Sequence, residues 1–339
     1  MTYRIAVVGA GDWASRHHLP ALASDPRAEI AVIVDADPAR RADAGERFDA
    51  PVAESLQPHL DRGGLDAVVI ATPHTTHAPL LTAVLDAGVA ALVEKPLTLN
   101  SAEATALVAR AGLASVPVLV GYTAQYTPAA LAARSWVQEE LGELRQVIVE
   151  FSSRAGARYA QADAGDTRSA YSAASGAGQA TTQLTHAFAA ICYTTGRAFT
   201  EIAALTADAG GAVDVDDAVA FRLDGGVTGA AASTGALPAG LPMRHVVRYI
   251  GEYGIVEHDL LLSTARLDGQ GGVSRRVAPT HAERPYPADA PVRALLDVLD
   301  GAAMNPAPIW PAAAAVAGIE SVLRSARSGR REAVAVIPR

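Results

Sequence analysis

Hydrophobic and polar positions follow two regimes along this chain. Over the first third, short apolar runs alternate with stretches in which apolar residues return every three or four positions. The runs 4–8, 30–34, 65–71, 90–93 and 116–120 predict buried strands, and 80–87 and 101–111 predict helices between them. Strand–helix alternation at this spacing predicts an α/β fold with a parallel, doubly wound sheet. Beyond residue 121 the regime changes. A helical stretch over 123–141 carries Leu131, Ala132 and Trp136 on one face. Candidate strands then follow at 145–151, 202–207, 218–223, 228–234, 244–251 and 254–260, and the alternation of Val246, Arg248 and Ile250 predicts a strand with two unlike faces. A last helix is expected over 312–327. The pattern divides the chain into a unit over 1–121 and a second over 122–339.

The first strand ends in Gly9-Ala10-Gly11-Asp12-Trp13-Ala14, a G-x-G-x-x-A turn that opens a helix. Gly9 permits the tight turn, Gly11 lets backbone approach a pyrophosphate, and Ala14 lets helix pack on strand. The helix N-terminus faces the phosphates, and Trp13 is expected to pack over the turn. Asp35 closes the second strand 21 residues after Ala14, near the spacing of a ribose-binding acid. It accepts from both ribose hydroxyls of NAD and repels the 2′-phosphate of NADP, so NAD is the expected cofactor. Arg40 and Arg41, just beyond, keep NADP open. The third strong strand stops at Ala71-Thr72-Pro73-His74, with His77 behind, at the sheet end where ligands bind. His77 either shapes the nicotinamide pocket or caps the helix. His74 and His77 stand at i and i+3 without a third ligand cluster, so no metal is expected. The fourth strand leads into Glu94-Lys95-Pro96, where proline imposes an extended or turn geometry and admits a cis bond. Gly121 and Tyr122 stand at the exit of the fifth.

Composition narrows the reading. A chain of 339 residues, half of them hydrophobic, fills one large or two ordinary domains. An excess of 36 acids over 28 bases argues against nucleic acid and against an anionic membrane surface as partners. No apolar stretch approaches the roughly 18 residues of a membrane span, and the start runs straight into a strand, without room for a secretory signal. The single cysteine, Cys192, excludes an internal disulfide and a cysteine-based zinc site, and the expected location is the cytoplasm. Among the 28 basic residues Lys95 is the only lysine. Arginine stays charged, whereas lysine shifts its pKa and hands over a proton, so this position is singled out as one that needs an amine.

The second unit carries fewer signals. Residues 152–178 form a long segment rich in Gly, Ala, Ser, Arg and Tyr, and such a segment in a compact domain is functional or disordered. Arg168 and Tyr171 within it are candidates to hold substrate hydroxyls or an acidic group. The segment 175–186 leads into a helix ending at Gly196. Thr182 and His186 share a face at i and i+4, with Gln183 about 100° round the helix. Thr182 reads equally as a substrate contact or as an ordinary helix threonine.

Taken in order, the glycine turn, Ala71-Thr72-Pro73 with His77, Glu94-Lys95-Pro96, Gly121-Tyr122 and the Gly-Ala-Gly segment before His186 resemble the Gfo/Idh/MocA family of NAD(P)-dependent oxidoreductases. The resemblance implies a Rossmann domain followed by an α+β domain with an open, mostly antiparallel sheet. That second domain would bind substrate and form a homodimer or homotetramer through its sheet. It implies that Lys95 reaches the reacting carbon near the nicotinamide. It also implies that His186 faces the substrate, with Tyr122, Thr182 and Gln183 around it. Thr182 stands where the family carries an acid, and Gln125 and Tyr126 replace its Arg-Phe. The implied reaction moves a hydride between nicotinamide and a secondary hydroxyl or ketone of a sugar, cyclitol or sugar derivative. His186 would act as base and Lys95 as the group that polarises the oxygen. Two rivals stay open: a glycosidase that transiently oxidises its sugar, and a non-catalytic NAD(P)-binding sensor.

Overall fold

The structure, a computed structural model, describes residues 2–280 and 284–339. Six parallel strands, β1 (Tyr3–Val8), β2 (Ala28–Val34), β3 (Val52–Ala53), β4 (Ala67–Ile70), β5 (Ala90–Val93) and β6 (Val118–Val120), form a sheet in the order β3-β2-β1-β4-β5-β6. The residues of β4 and β5 are buried without exception, as a parallel sheet covered on both faces requires. Its helices are α1 (Leu19–Ser24), α2 (Pro38–Phe48), α3 (Gln57–Arg62), α4 (His77–Asp86) and α5 (Ser101–Ala114). The strand order reverses between β1 and β4, which places a ligand crevice at their carboxyl ends.

The chain continues through α6 (Pro128–Glu139), β7 (Leu144–Ser152), α7 (Gly156–Gln161) and α8 (Thr185–Thr195). Then come β8 (Phe199–Ala207), β9 (Asp216–Leu223), β10 (Thr228–Thr234), β11 (Arg244–Gly251), β12 (Gly254–Asp259), β13 (Thr264–Gly269) and β14 (Ser274–Val277). Finally α9 (Ala290–Leu299), α10 (Ile309–Ser328) and β15 (Glu332–Ala333) close the chain. The second sheet has the order β14-β13-β12-β11-β7-β10-β9-β8-β15. Among the described pairings β10 runs parallel to β7, and the other neighbours are antiparallel. Along β9, Asp217, Val219, Phe221 and Leu223 point inward and Ala218, Ala220 and Arg222 outward. One face packs against α6, α8 and α10, and the other exposes Ile148, Leu205 and Ile255. No helix among the described residues is long and apolar enough to cross a membrane.

Four details depart from the sequence pattern. The expected helix 123–141 opens with a 3-10 turn over Thr123–Tyr126, and α6 starts after Thr127, whose hydroxyl caps Ala130 N–H. The segment 152–178 is not structureless, since α7 and a 3-10 turn at Ala173–Ser175 lie within it. Strands β13 and β14 were not expected, because TARLDG and SRRV carry few apolar residues. Helix α9 comes late in the chain yet packs on the first sheet, where Val292, Leu295 and Leu296 join Ile5, Val7, Leu92 and Leu119 in one buried cluster.

Candidate active site

The turn after β1 is shaped for close approach. Gly9 has φ +95°, and a Cβ there would lie 2.5 Å from the Ala71 carbonyl oxygen, so β1 and β4 meet backbone to backbone at their carboxyl ends. At Gly11 the place of a Cβ is open, with nothing within 4 Å. The helix that follows begins with a π-helical turn over Ala14–His18 before α1, and exposed Asp12 pairs with Arg16. Asp35 is fixed by two backbone donors, Ala10 N–H to Oδ2 and Asp37 N–H to Oδ1, both at 2.8 Å. Each oxygen keeps a further lone pair for a ribose hydroxyl. The open place at Gly11 and the oriented Asp35 fit a dinucleotide. Arg40, expected near a 2′-phosphate, is exposed on α2, whereas Arg41 donates to the Asp35 carbonyl at 2.6 Å.

Several expected cofactor contacts prove to be braces of this crevice. The Trp13 indole N–H donates to Glu94 Oε1 at 2.8 Å, so its polar atom is taken up by the protein and not by a pyrophosphate. Fully buried His18 places Nε2 2.8 Å from the same oxygen. Lys95 N–H reaches Oε2 at 3.2 Å. Burial pushes the Glu94 carboxyl up, but the His18 bond and the neighbouring charges of His18 and Lys95 outweigh it and hold it below the usual range. A Cβ at Gly121 would lie 2.8 Å from this carboxylate, which is why the residue before Tyr122 is glycine. His77 is fully buried, with Nδ1 2.8 Å from the Pro96 carbonyl and Nε2 2.9 Å from that of Thr72. It ties the Ala71-Thr72-Pro73 loop to the Lys95–Pro96 bond, which is cis. His74 is buried too. Burial first, then the charges of His77 and Lys95, lowers its pKa to about 3 against the opposing pull of the Ser175 carbonyl.

Beside these braces the two lobes meet. Lys95 Nζ donates to the backbone carbonyl of Thr182 at 3.1 Å. Burial lowers its pKa, opposed by the Glu94 charge. His186, on the first turn of α8, is driven well below the ordinary imidazole value by burial, then by the charges of Lys95 and His245. Tyr122 meets its ring edge-on at 5.6 Å between centroids, and Phe151 lies nearly parallel at 6.4 Å. The Tyr122 hydroxyl bonds Thr185 Oγ1 at 2.8 Å and is 1% exposed, so Tyr122 props His186 and does not offer its hydroxyl to a ligand.

The expectations for the substrate side need correction. Thr182 stands on a π-helical turn, Ala180–Leu184, which shifts the i, i+4 face on which it was expected to line up with His186. Its hydroxyl donates to the Gly178 carbonyl at 2.9 Å and shares a short hydrogen bond with Tyr159 Oη, so it turns away from the site. Gln183 is half-buried on the same turn. Arg168 is exposed, pairs with Asp166, and its charge reaches Asp37 at the cap of α2. It thus lies toward the Asp35 end of the crevice and not beside Lys95. Tyr171 accepts a short hydrogen bond from Arg158 and tilts against Tyr159 at 6.1 Å.

Three features escaped the sequence reading. His245 stacks on Phe151 at 3.9 Å, and Tyr159 caps Thr182. Asp217, 4% exposed, is pushed up to about 9 by burial and then by the charge of Asp214, which itself accepts the Ala180 N–H. Strand alternation alone would have turned His245 and Asp217 inward. Nothing in the local sequence says what they meet there. Among the described residues no group of three His, Cys, Asp or Glu side chains stands ready for a metal ion.

Fold and crevice together define a two-lobed protein with a dinucleotide turn on one lobe and an imidazole–amine pair at the junction. Residues 3–122 match the model of the Gfo/Idh/MocA oxidoreductase family with its NAD-binding Rossmann fold. Over 150 residues it is 31% identical to a dTDP-3,4-didehydro-2,6-dideoxy-α-D-glucose 3-reductase of Streptomyces violaceoruber, covering 44% of each chain. Over 146 residues it is 35% identical to inositol 2-dehydrogenase 1 of Paenarthrobacter aurescens, covering 42% of this chain and 43% of that one. These matches span less than half the length of either relative. A solved structure of GenD2 from gentamicin A biosynthesis, in complex with NAD, is similar over 99% of this chain and 97% of its own, with a TM-score of 0.78 and 28% identity.

Proposed function

We propose that this chain is an NAD-dependent oxidoreductase acting on a secondary hydroxyl or ketone of a sugar, cyclitol or sugar derivative. The observation that carries the reading is the junction itself: the chain's only lysine and His186 come from different lobes and lie close enough for the charge of one to depress the other. Bound NAD would supply the hydride acceptor. Gly9, Gly11 and Ala14 would seat its pyrophosphate, Asp35 its ribose, and the 71–77 and 94–96 loops the wall beside the nicotinamide. In oxidation Lys95 donates a hydrogen bond to the reacting oxygen, which acidifies that hydroxyl. Neutral His186 then takes its proton. In reduction the same two groups return a proton to the oxygen. The relatives named for a nucleotide sugar and a cyclitol support this substrate class. We further propose that copies pair through the outer face of the second sheet, around Ile148, Leu205 and Ile255, to a homodimer or homotetramer, and that the protein works in the cytoplasm.

The test is a panel of inositols, aldoses and nucleotide sugars offered with NAD and, separately, NADP, with reduced nicotinamide followed by absorbance. Lys95→Ala is expected to lose about 100-fold or more in kcat/KM while keeping NAD affinity. Turnover at the wild-type rate in that variant would overturn the role of Lys95.

A further inference from the structure

Lys95 reaches across the lobes to a backbone atom, the Thr182 carbonyl, at 3.1 Å. No side chain of its own aims a carbonyl, so its direction is set by whatever holds residues 178–182. Asp214 accepts from this turn twice. Its backbone carbonyl takes the Gln179 N–H at 2.9 Å, and its Oδ2 takes the Ala180 N–H at 2.6 Å. One step away, the Gly178 carbonyl accepts from both the N–H and the hydroxyl of Thr182 at 2.9 Å. Gly178 has φ +136°, and a Cβ there would collide with Asp214 Oδ1, so the carboxylate lies directly against the backbone that orients Thr182.

Asp214 is rigidly mounted. It stands just before β9, and the adjoining Val215 donates to the Ala207 carbonyl and accepts from the Gly235 N–H, both at 2.7 Å. The fully buried Gln179 side chain ties the same turn to the sheet. It accepts from the Ser153 hydroxyl at 3.2 Å and donates to Ser233 Oγ at 2.9 Å. The carboxylate costs stability, because its charge helps burial to push up the neighbouring Asp217 carboxyl. Stability alone would favour an uncharged residue at 214. We propose that Asp214 is a positioning residue for Lys95, its carboxylate fixing the 178–182 turn and so aiming the Thr182 carbonyl that holds the amine at the lobe junction. This rests on the oxidoreductase reading and deepens it. Glu94 supplies the charge that acts on Lys95, so Asp214 works through the turn and not through its own field.

The test uses the fact that Lys95 is the only lysine, so carbon-13 lysine labelling of the full chain gives one side-chain signal to titrate. Glu94, His74, His77 and His186 face Lys95, and Asp217 and Tyr159 face Asp214, in every variant compared. Asp214→Ala releases the turn, the ammonium loses its aimed acceptor, and the Lys95 midpoint should fall by about one pH unit. Asp214→Asn keeps an oxygen for the Ala180 N–H without the charge and should keep the wild-type midpoint. An unmoved midpoint in Asp214→Ala, or an equal fall in Asp214→Asn, overturns the proposal. If Asp214→Ala does not fold, Asp214→Leu, of similar shape and without an acceptor, takes its place. Unfolding of both, with Asp214→Asn folded and unmoved, makes Asp214 structural and also overturns the proposal. On a sugar or polyol that is turned over, Asp214→Ala should lose about 10-fold in kcat with KM and NAD affinity little changed, and Asp214→Asn should recover most of it. If nothing is turned over, the oxidoreductase reading fails, while the lysine titration still decides whether Asp214 aims Lys95.

Discussion

His186 shows how a single residue's surroundings set its chemistry. Burial and the charge of Lys95 both favour the neutral ring, so its folded pKa lies below the ordinary value near 6.5. A neutral base loses function only as pH falls through its own folded pKa. The oxidative kcat/KM should therefore hold through pH 6.5 and decline only below it; a decline centred at or above pH 6.5 would count against His186 as the base. Asp217 gives the opposite sign. Its carboxyl is pushed up to about 9, so the folded state holds a proton that the unfolded chain releases near pH 4. Its contribution is fully present below the unfolded pKa and is lost as pH rises toward the folded one. Between pH 6 and 8, Asp217→Asn should flatten the fall in unfolding free energy by roughly 1 kcal/mol per pH unit, measured by denaturant titration. Lys95 and His186 were singled out in the sequence because each stands in a motif. His245 and Asp217 were not, since an inward-facing polar residue on a strand declares its face but not its neighbours.

At the scale of elements, the first lobe depends on two backbone approaches. A methyl at Gly9 would meet the Ala71 carbonyl and force an L-residue to a φ of +95°. Gly9→Ala should cost about 1–3 kcal/mol of stability and weaken NAD binding at least tenfold by calorimetry. Glu94 joins the helix after the turn to the end of β5. Glu94→Ala leaves buried His18 and the Trp13 indole without their acceptor, and should cost about 1–3 kcal/mol in chemical denaturation. Its harm to catalysis would run through a displaced Lys95, so kcat should fall with NAD affinity less affected. The strands and turn of this lobe were legible because fully apolar runs and paired glycines are strong local signals. The polar strands β13 and β14 were not, because pairing with a neighbour and not local apolarity makes them strands.

The molecule as a whole is more interlocked than a split at residue 121 suggests. Helix α9 seals the first sheet with Val292, Leu295 and Leu296, and α10 packs against both α5 and α8. Leu295→Ala should destabilise by about 2–5 kcal/mol and lower NAD affinity, although residue 295 lies far along the chain from the turn. Loss of stability without any effect on NAD binding would argue that α9 serves the second lobe alone.

The sequence by itself determined the parallel sheet, the glycine turn with Asp35 after the second strand, and the prominence of Lys95, because each rests on local periodicity or on short motifs whose spacing is the message. Tertiary structure alone decided that Trp13, His18 and Glu94 brace one another, that a π turn diverts Thr182, and that β11 carries His245 to His186. Those outcomes depend on contacts between residues distant in the chain, where burial and hydrogen-bond satisfaction select partners that no local pattern names.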